Sequence, residues 1–148
     1  MSTVGKEKTL LQNEEIKNIQ IPAFGYELIK QLTLPEILGD DVNFVQYYLG
    51  KSLARKCPVN DMEELQSFFQ QAGFGDLTLI KEKGKELVFQ LQSPLITERF
   101  SYKEDVSYRL EAGFIAEQLS HIYQDAIECM DETNKRHKNV TFFAVTSL

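Results

Sequence analysis

Residues 47–91 read YYLGKSLARKCPVNDMEELQSFFQQAGFGDLTLIKEKGKELVFQL, and their hydrophobic period changes from helical to strand-like at residues 73–75. Before the change, Met62, Leu65, Phe68, Phe69 and Ala72 fall on one helical face. After it the period is two: Leu77 and Leu79 alternate with Thr78 and Ile80, and Leu87, Phe89 and Leu91 alternate with Glu86, Val88 and Gln90. KEKGKE between the two runs is a hairpin turn around Gly84. A helix that hands over to a hairpin is the signature of an α+β chain, so the flanking segments decide how many layers form.

Upstream, Pro22 precedes Phe24, Leu28, Ile29 and Leu32 at helical spacing, and Pro35 disfavours helix at the residue before it, so a short helix is expected over 24–34. Beyond Gly39, the side chains of Asp40 and Asp41 are placed to cap a second helix. Its stripe is Val42, Val45, Leu49 and Leu53, widened by Phe44, Tyr47 and Tyr48, and Pro58 ends it. Asn60 with Glu63 three residues on forms a capping box for the third helix, and Gly73 is its left-handed stop. Downstream, Ser93-Pro94 closes the second strand, and 95–104 is open between a short helix and an irregular crossover. From about residue 105, Tyr108, Ala112, Ile115, Leu119 and Ile122 mark a fourth amphipathic helix. Gly113 interrupts it at about 1 kcal/mol relative to Ala, so Gly113 with Ala116 is expected where this helix meets another backbone closely. A strand near 124–131, the polar turn TNKRHKN and a strand from Val140 complete the chain. Helices first and hairpins after them imply four antiparallel strands with helices gathered on one side.

The chain has 148 residues, 43% of them apolar, the size of a single domain, with 1–18 as a weakly anchored leader and 19–148 as the folded unit. A net charge of -6 opposes attraction to nucleic acid or anionic membranes. No stretch approaches the ~20 apolar residues of a membrane span, and MSTVGKEKTLLQNEE has no apolar signal core, so a cytoplasmic protein is expected. Cys57 and Cys129 are too few for a disulfide framework and are expected as free thiols.

The segments PAFGYELI (22–29), PEILG (35–39), GKSLAR (50–55), Phe69, AGFG (72–75) and LEAGFIA (110–116), in this order, make the chain resemble the YslB-like family of bacterial proteins over nearly its whole length. More distantly it is similar to the vinyl-4-reductase domain and the TRAPP vesicle-tethering subunits, a fold associated with NO signalling and Golgi transport. That resemblance implies a dimer-forming helical layer on a four-stranded antiparallel sheet, sometimes enclosing a channel for an apolar ligand or acyl chain. Distant members often carry cysteines in the last hairpin, where Cys129 falls, but the Cys/His cluster of their metal-bearing versions is missing here.

No nucleophile and base, metal set or phosphate loop emerges, so a non-enzymatic protein without cofactor or metal is expected. His121 and His137 fall short of the three or four ligands of a zinc site. The glycines of AGFGD lead from helix to strand, the reverse of a phosphate loop. Carboxylate neighbours such as Glu63-Glu64, Glu104-Asp105 and Glu128 with Asp131-Glu132 read as solvated faces and caps. Two functions remain. Val45, Tyr48 and Leu49 form a candidate homodimer face for an interaction or scaffold module. Alternatively, Phe69, Phe74, Gly113, Phe114, Ala116 and Cys129 frame an apolar pocket for a small molecule or acyl chain.

Overall fold

The computed structural model describes residues 7–146. The part of the expected leader before Glu7 lies outside them; from there the chain forms two exposed 3-10 turns, Leu10–Gln12 and Glu14–Asn18. Six α-helical segments and four strands follow. They are α1 (Ala23–Glu27), α2 (Leu34–Leu38), α3 (Val42–Lys56), α4 (Met62–Gln71), β1 (Asp76–Lys83), β2 (Glu86–Gln92), α5 (Pro94–Arg99), α6 (Arg109–Tyr123), β3 (Ile127–Asn134) and β4 (Asn139–Thr146).

The sheet is antiparallel throughout, in the order β1-β2-β4-β3. Alternation places Leu77, Leu87, Phe89, Leu91, Ile127, Cys129, Val140, Phe142 and Ala144 in the core beneath the helices. Helix α6 lies along β3, α4 lies on β1, and α3 packs on α6. The hairpin between β1 and β2 turns at Gly84, and a register shift between Leu79 and Lys81 leaves Ile80 exposed.

The helix–helix seam fixes the depth of the helical layer. A Cβ on Gly50 would collide with the Leu110 carbonyl oxygen, and one on Gly113 with the carbonyl oxygen of Tyr47. Each glycine thus receives the other helix's backbone, as the interruption at Gly113 suggests. The stripe of α3 that turns inward is Gln46, Gly50 and Ala54, not the apolar one: Leu49 and Tyr48 are exposed and Val45 is half-buried. Small residues win this face because close approach, rather than side-chain bulk, is what the seam requires. At the end of α3, the Gln118 amide donates to the Ala54 and Cys57 carbonyls while its oxygen accepts from the Val59 amide, satisfying groups that a helix end leaves open.

Several boundaries differ from the expected ones. The first helix does not stop before Pro35; a π-helical turn, Leu28–Thr33, joins α1 to α2. A proline ring collides with the carbonyl four residues back in an α-helix, and the wider π turn relieves that clash. Neither Asp40 nor Asp41 caps α3 through its side chain; a 3-10 turn, Gly39–Asp41, leads into it instead. The third helix is capped one residue later than expected, by Asp61, whose carboxylate accepts from the Glu64 amide at 2.9 Å, while Glu64 reaches back to the Asn60 amide. Residues 94–99 form α5, capped by Ser93. The third strand starts at Ile127, after a left-handed residue at Gln124.

Gly113→Ala is expected to lower stability by about 3 kcal/mol, since its Cβ has only backbone to push against, which is a fall in Tm of about 10 °C for a chain of this size. Gly25→Ala, where a Cβ meets open space in helical backbone, is expected to leave Tm unchanged or slightly raised. Thermal unfolding followed by circular dichroism measures both, and equal effects would contradict the close seam.

Candidate functional site

The helical segment over residues 23–38 is built inside out. Its buried side chains are Glu27, Lys30 and Gln31, while Phe24, Leu28, Ile29, Leu32 and Ile37 face outward, Phe24 and Ile37 at 72% and 74% exposure. An amphipathic helix normally does the reverse. Its inward charges are matched across the fold. Arg99, at the end of α5, grips the Glu27 carboxylate with two parallel hydrogen bonds of 2.9 and 2.7 Å, and the Tyr102 hydroxyl donates to the same group at 2.8 Å. Lys30 pairs with Glu111 of α6 at 3.4 Å, and the Arg99 guanidinium sits 5.7 Å from the Tyr108 ring centre.

The surroundings shift the titration of Glu27 and of two tyrosines beside it. Burial works to raise the pKa of Glu27, but the hydrogen bonds from Arg99 and Tyr102 and the charges of Arg99 and Lys30 outweigh it and keep the carboxyl below its ordinary range. Burial, together with the Glu111 carboxylate, pushes the Tyr26 hydroxyl up to about 12, and burial also raises Tyr108. All three shifts lead away from neutrality, so near neutral pH the Glu27 carboxylate stays charged against Arg99 as an electrostatic lock and the two hydroxyls stay protonated.

Beside the lock lies a cleft of about 830 Å³, walled by the π turn and α2 (Lys30, Gln31, Pro35), by α3 (Asn43, Gln46), by the segment from Arg99 to Tyr108, and by Thr133 and Lys135 near the β3–β4 turn. Two buried amide atoms of its wall residues have no hydrogen-bond partner: the donor Nε2 of Gln31 and the acceptor Oε1 of Gln46. Each such orphan costs about 1–3 kcal/mol in a folded protein.

A second polar cluster closes the free edge of β3. The Tyr47 hydroxyl donates to Glu128 and accepts from the Cys129 amide, Ser120 Oγ accepts from the Ile127 amide at 3.0 Å, and Arg109 pairs with Asp131 at 2.6 Å while lying 4.4 Å from the Tyr47 ring centre. Lys51 joins Glu128 at 2.8 Å. The edge backbone groups of Ile127 and Cys129, which could pair with another chain, are thereby occupied by helix side chains.

The residues singled out from sequence fall into different places. Phe69, Phe74 and Phe114 touch one another, with ring centres 5.3 to 6.3 Å apart, and Phe68 stacks on Phe114 at 4.6 Å. Gly113 is in the α3–α6 seam, and Ala116 and Cys129 are in the core. Burial, with the Asp131 charge beside it, drives the Cys129 thiol up, and burial raises Cys57 as well, so both are protonated at neutral pH. His121 and His137 are exposed, and no group of three or more His, Cys, Asp or Glu among the described residues could hold a metal ion. Tyr48 and Leu49 stay outward with Phe44, whose ring lies 5.0 Å from that of Tyr48. Sequence reasoning missed Glu27, Lys30, Gln31, Gln46 and Arg99. The only local signal was that the charged and polar positions of 23–38 share a face as regular as the apolar one.

A helical layer over a four-stranded antiparallel sheet is the fold of a vinyl-4-reductase family protein from Methanocaldococcus jannaschii, to which this structure is similar with a TM-score of 0.65 and 22% identity over 93% of this chain and 90% of that one. Residues 23–145 match the family described as protein of unknown function DUF2507, and the chain belongs to it. It is 38% identical over 135 residues, 91% of each chain, to the uncharacterized protein YslB of Bacillus subtilis strain 168.

Glu27→Gln, which leaves Arg99 buried against a neutral partner, is expected to cost about 3 kcal/mol at pH 7. Because the folded pKa of Glu27 lies below the unfolded value near 4.5, its contribution is complete above pH 5 and is lost as pH falls through the folded value. Urea unfolding at a series of pH values should show the gap between wild type and variant shrinking below pH 4.5. A gap independent of pH would contradict the lock.

Proposed function

We propose that the protein is a non-enzymatic interaction module that works as a homodimer, with the outward face of α1, the π turn, α2 and α3 as its contact surface. The inside-out helix is the observation that carries this reading. Its polar stripe is consumed by the body of the protein, and Phe24, Leu28, Ile29, Leu32 and Ile37 are left exposed together with Phe44, Tyr48 and Leu49 of α3. At roughly 150–200 Å² per large side chain, residues exposed by 40% to 74% in this number offer on the order of 800 Å² per protomer, the share each partner contributes to a standard interface.

A second copy suits the face on electrostatic grounds. Copies of a chain with net charge -6 repel one another, and an isologous contact brings each patch against itself. Across residues 23–38 the only exposed ionisable side chain is Glu36, since Glu27 and Lys30 are turned inward. Self-contact over that stretch brings together one carboxylate per copy, and Asp40 and Asp41, exposed just beyond it, are the like charges a dimer keeps apart. The alternative, an apolar molecule held between α4 and α6, meets Phe68, Phe69, Phe74 and Phe114 already in mutual contact where it would lie. The homodimer is therefore the better-supported reading.

Sedimentation equilibrium is expected to give twice the chain mass of 17.0 kDa. Tyr48→Lys and Ile29→Lys should each give a soluble monomer with an unchanged circular dichroism spectrum, because both side chains are exposed. Unfolding of both variants, or dimers as tight as wild type, would sink the proposal.

A further inference from the structure

We infer that the cleft beside the π turn is a binding site for a small neutral molecule presenting an amide edge, a carbonyl acceptor and an N–H donor side by side in one plane, as in a lactam or a nucleobase. Its volume of about 830 Å³ falls in the range of small-molecule sites. Two wall residues hold the complementary pair. Gln31, at 7% exposure, has a donor without an acceptor, and Gln46, at 2%, has an acceptor without a donor. Folded proteins carry few such groups, and these two come from different elements, the π turn and α3, that meet at one cleft. Neither atom touches solvent as the structure stands, so a ligand edge that meets the pair must enter by turning the two terminal amides about their soft last torsions. An amide edge accepts from the first and donates to the second, the match that glutamine side chains make with nucleobase edges.

The charges of the wall select the ligand's class. Among the buried groups, Arg99 and Lys30 border the cleft, each already neutralised by its own carboxylate, Glu27 and Glu111, and at the exposed rim two cations, Lys103 and Lys135, are balanced in number by two carboxylates, Glu104 and Asp105. Depth therefore offers hydrogen bonds without an unpaired cation, which favours a neutral edge over a phosphate or carboxylate. The site uses none of the outward apolar residues and stands whether or not the chain dimerises.

The test uses the full chain labelled with ¹⁵N, following the side-chain NH₂ signals of Gln31 and Gln46, with four probes at millimolar concentration: 2-pyrrolidone, uracil, N-methyl-2-pyrrolidone and acetate. Saturable shifts of both signals with 2-pyrrolidone or uracil are expected, and the better of the two tells a simple lactam from a base. Blocking the edge, as N-methyl-2-pyrrolidone does, should weaken binding about tenfold or more, the effect of losing one hydrogen bond in a buried site. Gln31→Met and Gln46→Met should each do the same without lowering the unfolding midpoint, since each removes an orphaned group. Should Gln46→Met fail to fold, Gln31→Met decides the question. Equal binding of the blocked probe, undiminished binding by the Met variant, or the absence of any shift with 2-pyrrolidone and uracil would each overturn the inference. So would a crystal structure in which one ordered water bridges both amides and is not displaced by the probes, the signature of a wet structural pocket.

Discussion

The buried pairing of Glu27 with Arg99 and of Lys30 with Glu111 decides the orientation of the whole N-terminal helical segment. Once these charges are turned inward they must stay paired, because an unmatched buried charge is far more expensive than the pair itself is favourable. The first consequence is geometric: the segment is held against the end of α6 and the loop after α5 by polar contacts, not by apolar burial. The second follows from helical periodicity. With the polar stripe committed to the interior, the apolar stripe has nowhere to go but outward.

Two other features fit around that choice. The π turn lets the segment run through Pro35, and it carries Lys30 and Gln31 into the wall of the cleft. The glycine seam brings α3 close enough to α6 that the buried stripe of α3 is Gln46, Gly50 and Ala54, which places Gln46 on the same cleft and pushes Tyr48 and Leu49 to the surface. The exposed apolar face and the polar cleft are thus two results of one arrangement in which small and charged residues, rather than bulky apolar ones, join α3 and the N-terminal helical segment to α6.

The sheet was legible in the sequence because each strand has one face under the helices, and period-two burial writes itself into Leu77, Leu87, Phe89, Leu91, Val140, Phe142 and Ala144. The seam at Gly113 was legible too, as an interior helix glycine needs a reason. Which side of a helix faces in was not. The apolar stripe of a helix ordinarily faces in, and that rule fails over residues 23–38, where partners separated by 72 and 81 residues supply the matching charges. Nothing local to Glu27 points to Arg99. Helix starts slipped by a residue where two capping side chains compete, as Asn60 and Asp61 do, and the cleft was invisible because it is made by segments remote in sequence.

In the proposed homodimer a second copy of the chain covers the apolar face over residues 23–49. Hydrogen exchange measured by mass spectrometry at a series of protein concentrations tests it most directly. In a homodimer, protection of peptides from this stretch rises with concentration while that of β2 and β4 stays constant. Protection that is the same at every concentration, with the segment exchanging as a free surface helix, would contradict it.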